Sequence, residues 1–334
     1  MARTTEQQIK ATLTAAHELV DKRERRRSAV ARPLASAAKR HSADARTALA
    51  ASFAAQHGFP SGSFATLQAH TLDESARAIE NARQEVIAEA PSRLSEARAA
   101  ITRRRALLEA LVAAPATSPI ASRILLTKPF IIWPSVGFQF SDTHYEAWNS
   151  WAKVLVSTSG EATRDLTFYW LWENPSEYYT AVNIDTWVMV HGFALAATNG
   201  GVLNVDGQTS FIQGDVTLHV MEWWNQPPTE PALQSTQSAG VVSVLAQSNG
   251  FFDTGDVESA TVFNTFDLRC DQFVIPPQGV GVFEVVLHLD YYAPDGSVEF
   301  NLSSGDLEVL NPFLMIEVLT MPGGAANDAN RRAG

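Results

Sequence analysis

The first third of the chain repeats its apolar residues at helical spacing. Ile9, Leu13, Ala16 and Val20 are four, three and four residues apart, which places them on one face of a helix. A second series has nearly heptad spacing and consists of Leu72, Ile79, Val86, Leu94, Ala97, Ile101, Leu108 and Leu111. Because such a seam is buried only against a partner, the two series predict an antiparallel helical hairpin or coiled coil.

The turn of this hairpin is predicted in FPSGSFATLQAH, residues 59–70. Pro60 and Gly62 interrupt the helical stripe there. Thr71 is followed three residues later by Glu74, which fits a capping box in which each side chain binds a free backbone amide of the first helical turn. We therefore expect the returning helix to begin near Thr71.

The apolar pattern shortens to strands after a Pro-rich stretch, AAPATSPIAS. In residues 283–291 apolar and polar side chains alternate, which is typical of a strand with one buried face. Similar short runs recur up to residue 319, separated by turn sequences such as TNGG, NVDG and APDG. Many strands without intervening helices predict an antiparallel, jelly-roll-like β-sandwich.

Net charge divides the chain at the same place. Residues 1–115 hold 18 Lys and Arg and 12 Asp and Glu, a net charge of 18 − 12 = +6, and the remainder holds 7 and 24, or −17. We therefore predict an α+β multidomain chain: a basic helical hairpin in 1–115, a linker in 116–122, an acidic β-sandwich in 123–321 and a flexible tail in 322–334. Opposite charges also suggest that subunits assemble with one part against the other.

Several protein classes are excluded by composition and motifs. A single cysteine, Cys270, rules out an internal disulfide and a multi-cysteine zinc or iron–sulfur site. The start has no apolar core of a signal peptide, and no apolar run is long enough to span a bilayer, so we expect a cytoplasmic protein or one exported without a cleaved signal peptide. HExxH, GxSxG, Walker and GxGxxG motifs are absent.

Aromatic side chains supply the first candidates for a binding site. In RDLTFYWLWENPSEYY, Phe168, Trp170 and Trp172 share one strand face, and we interpret them as sandwich core in preference to a sugar platform. The better platform candidates are Trp223, Trp224 and Asn225, beside a Pro-rich loop. Adjacent strand residues point to opposite faces, so one of the two tryptophans must leave the core side.

Acidic and histidine side chains give weaker candidates. Asp253, Asp256 and Glu258 in FFDTGDVES could supply oxygen ligands to calcium, and we expect no other cofactor. His288 and Asp290 share a strand face, which we interpret as a solvated face in preference to an acid/base pair. Glycoside hydrolysis needs two carboxylates, for which the candidates are Glu173, Glu222, Glu258 and Glu299.

These patterns favour a non-enzymatic structural or binding protein. Its helices would serve oligomerisation or anchoring, so we expect a homo-oligomer, and its sandwich would recognise a carbohydrate or a protein. Nucleic acid is not expected as a partner, because acidic residues interrupt the Arg-rich segment DKRERRR and no aromatic residue interleaves with it. The alternative function is that of a toxin-like, membrane-active protein, in which the helices enter a membrane after the sandwich binds a receptor.

Overall fold

One long helix precedes a β-sandwich in the computed structural model of the chain. The structure describes residues 10–11, 13–14, 52, 55–58, 63–198, 208–223, 232–248 and 255–320. Helix α1 is Ser63–Ala113. The strands are β1 Ile120–Leu126, β2 Ile131–Pro134, β3 Gln139–Glu146, β4 Asn149–Glu173, β5 Thr180–Thr198, β6 Gln208–Trp223, β7 Ala232–Ser248, β8 Val257–Ile275, β9 Val280–Leu302, β10 Glu308–Leu310 and β11 Leu314–Leu319.

All of these strand pairs are antiparallel, and the hydrogen-bonded ladder folds over to form two layers. The front sheet contains β2, the second part of β4, the first part of β9, β6 and β7. The back sheet contains β1, β11, β5, β8, β10, β3 and the remaining parts of β4 and β9. The predicted antiparallel β-sandwich is therefore confirmed, whereas its jelly-roll connection stays a prediction.

Strands β4 and β9 run through both layers. They pair once over 154–158 and 298–302, in the back sheet, and again over 160–173 and 280–293, in the front sheet. The register shifts between Thr158 and Gly160, where Gly160 has φ of 104°, a conformation that favours glycine. This bulge marks the place where the paired strands pass from one sheet to the other.

The aromatic stretch in β4 fills the space between the sheets. Phe168 and Trp170 are almost completely buried, and Trp172 belongs to the same cluster, so the core interpretation of these rings is confirmed. The indole Nε1 of Trp170 donates a hydrogen bond of 2.6 Å to Oδ1 of Asn311. A buried indole N–H usually finds an acceptor in this way. Cys270 also lies in this core.

Helix α1 lies across the outer face of the back sheet. Its buried side chains are Val86, Ala90, Leu94, Ala97, Ile101 and Leu108. Towards the C-terminal end of the helix they contact Trp187, Met189 and Phe313, and towards its middle they contact Phe193 and Leu195. The middle of the heptad-like seam, from Val86 to Leu108, is thus buried by a sheet, whereas Leu111 is 37% exposed.

Two arginines of α1 bind buried carboxylates of the back sheet. Arg83 contacts both carboxylate oxygens of Glu299, at 2.5 and 3.3 Å, and Glu299 also accepts a hydrogen bond from Asn301. Arg98 lies 3.4 Å from Glu308, whose pKa is raised by burial. The basic and acidic parts of the sequence therefore form ion pairs with each other within one chain. Self-association of subunits stays a prediction.

The predicted hairpin is not supported by the described residues. The prediction of a turn in residues 59–70 is wrong from Ser63 onwards, because α1 begins there and runs without a break to Ala113. Thr71 and Glu74 lie inside the helix, so they form no capping box at its start. The coiled-coil prediction is wrong for the second arm because an apolar stripe identifies a buried face but not what covers it.

Other predictions fall partly or wholly on residues that the structure does not describe. Of the first arm, residues 10–11, 13–14, 52 and 55–56 are helical, residues 57–58 form a turn, and the rest lies outside the described part. Strand β1 begins at Ile120, inside the stretch interpreted as a linker. The expected tail, residues 322–334, lies outside the described residues. In the described ranges, no helix is both long enough and apolar enough to cross a membrane.

Candidate functional site: the outer face of the front sheet

The outer sides of β4, β9 and β6 in the front sheet form one continuous surface, which we call the front face. Alternate residues of these strands enter the core, so the residues between them point outwards. The front face comprises Glu161, Thr163, Asp165, Thr167 and Tyr169 of β4, Glu284, Val286, His288, Asp290 and Tyr292 of β9, and Phe211, Gln213, Asp215, Thr217 and His219 of β6. It carries five carboxylates and neither lysine nor arginine.

The middle of the front face is a row of acidic and imidazole groups. His288 is the register partner of Asp165 on one side and of Asp215 on the other. Its Nδ1 lies 2.5 Å from Oδ1 of Asp165, and Asp215 accepts a hydrogen bond of 2.9 Å from Thr217. Three neighbouring strands thus hold this row in a fixed arrangement. The side chains of His288 and Asp165 are 38% and 49% exposed, so the solvated-face interpretation of His288 stands, and its partner is Asp165 on β4.

Glu284 lies on the same face of β9, four residues before His288. It pairs in register with Tyr169 and with His219. Burial raises the pKa of Glu284 to about 7, although a hydrogen bond from Tyr169 acts in the opposite direction. Burial also lowers the pKa of His219, while the charges of Asp165 and Asp215 raise it. A carboxyl group held so far from its ordinary pKa is more typical of a functional site than of a plain surface.

One end of the front face is apolar and exposed. Phe211 and Tyr292 stack with ring centroids 5.9 Å apart and an interplanar angle of 20°. Leu245 of β7, which pairs with Phe211, is 49% exposed, and Tyr292 is 36% exposed. Next to this aromatic row stand Asp290 and Gln213, about 7 Å further along their strands.

The opposite end of the front face is covered. Leu13, in the N-terminal helical segment, is buried in a cluster with Tyr169, Val280 and Val282. Ligand access is therefore best at the end formed by Phe211 and Tyr292. The arrangement offers an apolar surface for stacking and, beside it, carboxylate, amide and imidazole groups that can form hydrogen bonds with hydroxyl groups.

The predicted platform is only partly within the described structure. Trp223 is the last residue of β6 and pairs with Val280, at the covered end of the front sheet. Nothing is described of its side chain, and Trp224 and Asn225 lie outside the described residues. Their role stays a prediction. Sequence reasoning missed Phe211 and Tyr292, although both fall on outward positions of their strands.

The calcium hypothesis also remains a prediction. Asp253 lies outside the described residues, and Glu258 is an exposed residue of β8. Asp256 is engaged in local structure, since its Oδ2 accepts a hydrogen bond of 2.8 Å from the amide of Gln247. In the part of the chain that the structure covers, no group of three or more His, Cys, Asp or Glu side chains is arranged to hold a metal ion.

The candidate carboxylates for glycoside hydrolysis do not converge on one described site. Glu299 is buried beneath α1 and bound by Arg83. Glu258 is exposed, and Glu173 pairs with Val280 in the front sheet. Nothing is described of the Glu222 side chain.

The chain matches no protein-family model and no curated protein. Among solved structures, it is similar to TmCBM61 in complex with β-1,4-galactotriose, with 9% identity, a TM-score of 0.24, and coverage of 57% of this chain and 91% of that one. The mannan-recognising module TmCBM27 has 14% identity, a TM-score of 0.23, and coverage of 59% and 96%. The xylan-binding domain CBM22-1 of Paenibacillus barcinonensis Xyn10C has 11% identity, a TM-score of 0.21, and coverage of 60% and 95%. Likenesses of this size carry no argument about function, which must come from the site.

Proposed function

We propose that this chain is a non-enzymatic binding protein that recognises a carbohydrate on its front face. The observation that carries the proposal is the partly exposed Phe211–Tyr292 stack beside the polar row of Asp290 and Gln213. A sugar ring has an apolar face and a rim of hydroxyl groups, so it needs both kinds of surface at once. The ladder of β4, β9 and β6 supplies them within about 7 Å of each other.

The middle of the front face supports the same proposal. The half-buried carboxyl group of Glu284 makes the folded protein less stable when it ionises, because burial disfavours its charged form. Groups that destabilise a fold in this way are commonly retained for binding or catalysis. The Asp165–His288 pair, whose side chains are 49% and 38% exposed, would extend the polar surface to further hydroxyl groups of an oligosaccharide.

Replacing Tyr292 by serine should abolish most of the binding. We expect the affinity for a bound glycan to fall at least tenfold, about 1.4 kcal/mol, because the more exposed ring of the stack is removed. Binding can be screened on an array of neutral β-linked oligosaccharides of hexoses and pentoses and then measured by titration calorimetry.

Tyr178→Ser is the matched control. Tyr178 is 69% exposed but follows β4 at the other end of the front sheet, so its loss should leave affinity unchanged. Both variants should unfold at the temperature of the unmodified protein. Equal weakening by both variants, or no binding of any glycan to the unmodified protein, would contradict the proposed function.

A further inference from the structure

A groove of about 430 Å3 lies on the other layer, between the C-terminal end of α1 and the outer face of the back sheet. Its walls combine apolar and charged side chains, namely Leu107, Leu108, Leu111 and Met315 with Arg104, Asp185, Arg269 and Glu317. Leu107 is 67% exposed at its rim. A volume of this size, with a few polar groups on apolar walls, is typical of a site for a small ligand.

Arg104 packs against a buried indole and has one buried donor atom without a hydrogen-bond partner. Its guanidinium carbon lies 4.7 Å from the ring centroid of Trp187, which is buried. The Nε atom of Arg104 is buried and has no hydrogen-bond partner in the described structure. A buried polar atom without a partner requires an explanation, and a role in binding is one that the groove beside it supports.

Asp185 provides the opposite charge in the same groove. Burial raises the pKa of its carboxyl group, and the positive charges of Arg104 and Arg269 lower it. Within the described ranges, no ion pair joins Asp185 to either arginine, although Arg269 pairs with Asp271 at 2.7 Å and Arg123 with Glu317 at 3.1 Å. Arg104 and Asp185 therefore line the same groove without pairing with each other, and a ligand that carries both charges can bind to both.

We propose that this groove binds a small zwitterion with an apolar side chain, either an apolar amino acid or a dipeptide of such residues. The ligand carboxylate would accept hydrogen bonds from the guanidinium of Arg104, for which the planar fork of arginine is suited. The ligand ammonium would donate to Asp185, and the apolar side chain would pack against Leu108, Leu111 and Met315. The charge complementarity of the groove supports this occupant, and the proposal does not depend on the front face.

Titration calorimetry with L-leucine, leucyl-leucine and N-acetyl-leucine amide tests the proposal. The first two carry both charges, and the third has the same side chain without them. We expect one of the zwitterions to bind and the uncharged amide to bind at least tenfold more weakly. The zwitterion that binds more tightly shows whether the ligand of the groove is a free amino acid or a peptide.

Arg104→Gln and Asp185→Asn should each weaken this binding at least tenfold. Asp185→Asn is nearly isosteric and keeps the test valid if loss of the contact with Trp187 unfolds the arginine variant. Arg103→Gln, at the exposed neighbouring position of α1, is the control and should bind like the unmodified protein. The proposal is overturned if neither zwitterion binds, if the amide binds equally well, or if Asp185→Asn binds without loss.

Discussion

Replacing Glu284 by glutamine should stabilise the protein at pH 8.5 and leave its stability unchanged at pH 4. The folded-state pKa of Glu284 is about 7, against an ordinary value of 4.5, because burial disfavours the carboxylate. At about 1.36 kcal/mol for each pH unit, a difference of about 2.5 corresponds to a stabilisation of about 3 kcal/mol. Glutamine cannot ionise, and its carbonyl oxygen can still accept the hydrogen bond from Tyr169.

The direction of this effect follows from proton linkage. Because the pKa is higher in the folded protein, the folded state binds more protons than the unfolded state between pH 4.5 and 7. The contribution of Glu284 to stability is therefore fully present below pH 4.5 and is lost as the pH rises through 7. Urea unfolding at several pH values would measure the difference between the variant and the unmodified protein.

Gln213→Ala provides the control for Glu284→Gln. It changes an exposed position of the same face and removes no titratable group, so it should preserve the pH dependence of the unmodified protein. If Glu284→Gln is no more stable than the unmodified protein at pH 8.5, burial does not raise the pKa of Glu284 in the way described above.

The second large effect is expected from Arg83→Met, which should destabilise the protein by about 2–3 kcal/mol. Breaking a buried ion pair leaves a charge without compensation and typically costs about 3–5 kcal/mol, and the half-exposed position of Arg83 reduces this. Glu299, only 7% exposed, would keep the hydrogen bond from Asn301 but lose both contacts with the guanidinium. Urea unfolding followed by circular dichroism measures the loss.

Two further variants separate this effect from a general loss of charge. Arg77→Met removes a more exposed arginine, which pairs with Asp73 on the helix surface, and should cost less than about 0.5 kcal/mol. Adding Glu299→Gln to Arg83→Met should restore part of the stability, because the uncompensated buried charge is gone and the glutamine oxygen can still accept from Asn301. A double variant that is less stable than Arg83→Met would show that the pair does not act in this way.

The sandwich could be predicted from the sequence because alternation of apolar residues is a local signal. The lengths of the strands, and the sheet to which each strand belongs, could not be predicted in the same way. The runs Lys153 to Ser157 and Leu166 to Trp172 look like two strands, yet both belong to β4. The polar stretch between them is paired strand with one bulge, between Thr158 and Gly160, in a ladder whose other strand lies more than a hundred residues away. A turn-like composition does not distinguish a bulge from a loop.

The surroundings of helix α1 could likewise be predicted only in part. The spacing of Val86, Ile101 and Leu108 predicts which side of α1 is buried, and this part of the prediction is confirmed. It does not say whether a helix or a sheet covers that side. The aromatic residues Trp187 and Phe313 of the back sheet provide the cover, and their contact with α1 depends on the tertiary fold.

Candidate site residues could be recognised singly but not as a group. The outward direction of His288 follows from alternation in β9, but its partner Asp165 is 123 residues earlier in the chain. Phe211 and Tyr292 likewise meet only because β6 and β9 pair in one particular register. The sequence therefore offered Asp290 as the partner of His288, because it is a near neighbour on the same strand face.

Amide chemical-shift mapping by NMR tests the central claim that the front face binds a carbohydrate. An oligosaccharide that binds on the array would be titrated into the labelled protein. We predict that the largest shifts fall on β4, β6 and β9 around Phe211, Asp290 and Tyr292, and that Tyr292→Ser removes them. Shifts confined to α1 and the back sheet, or none with any glycan, would contradict the account.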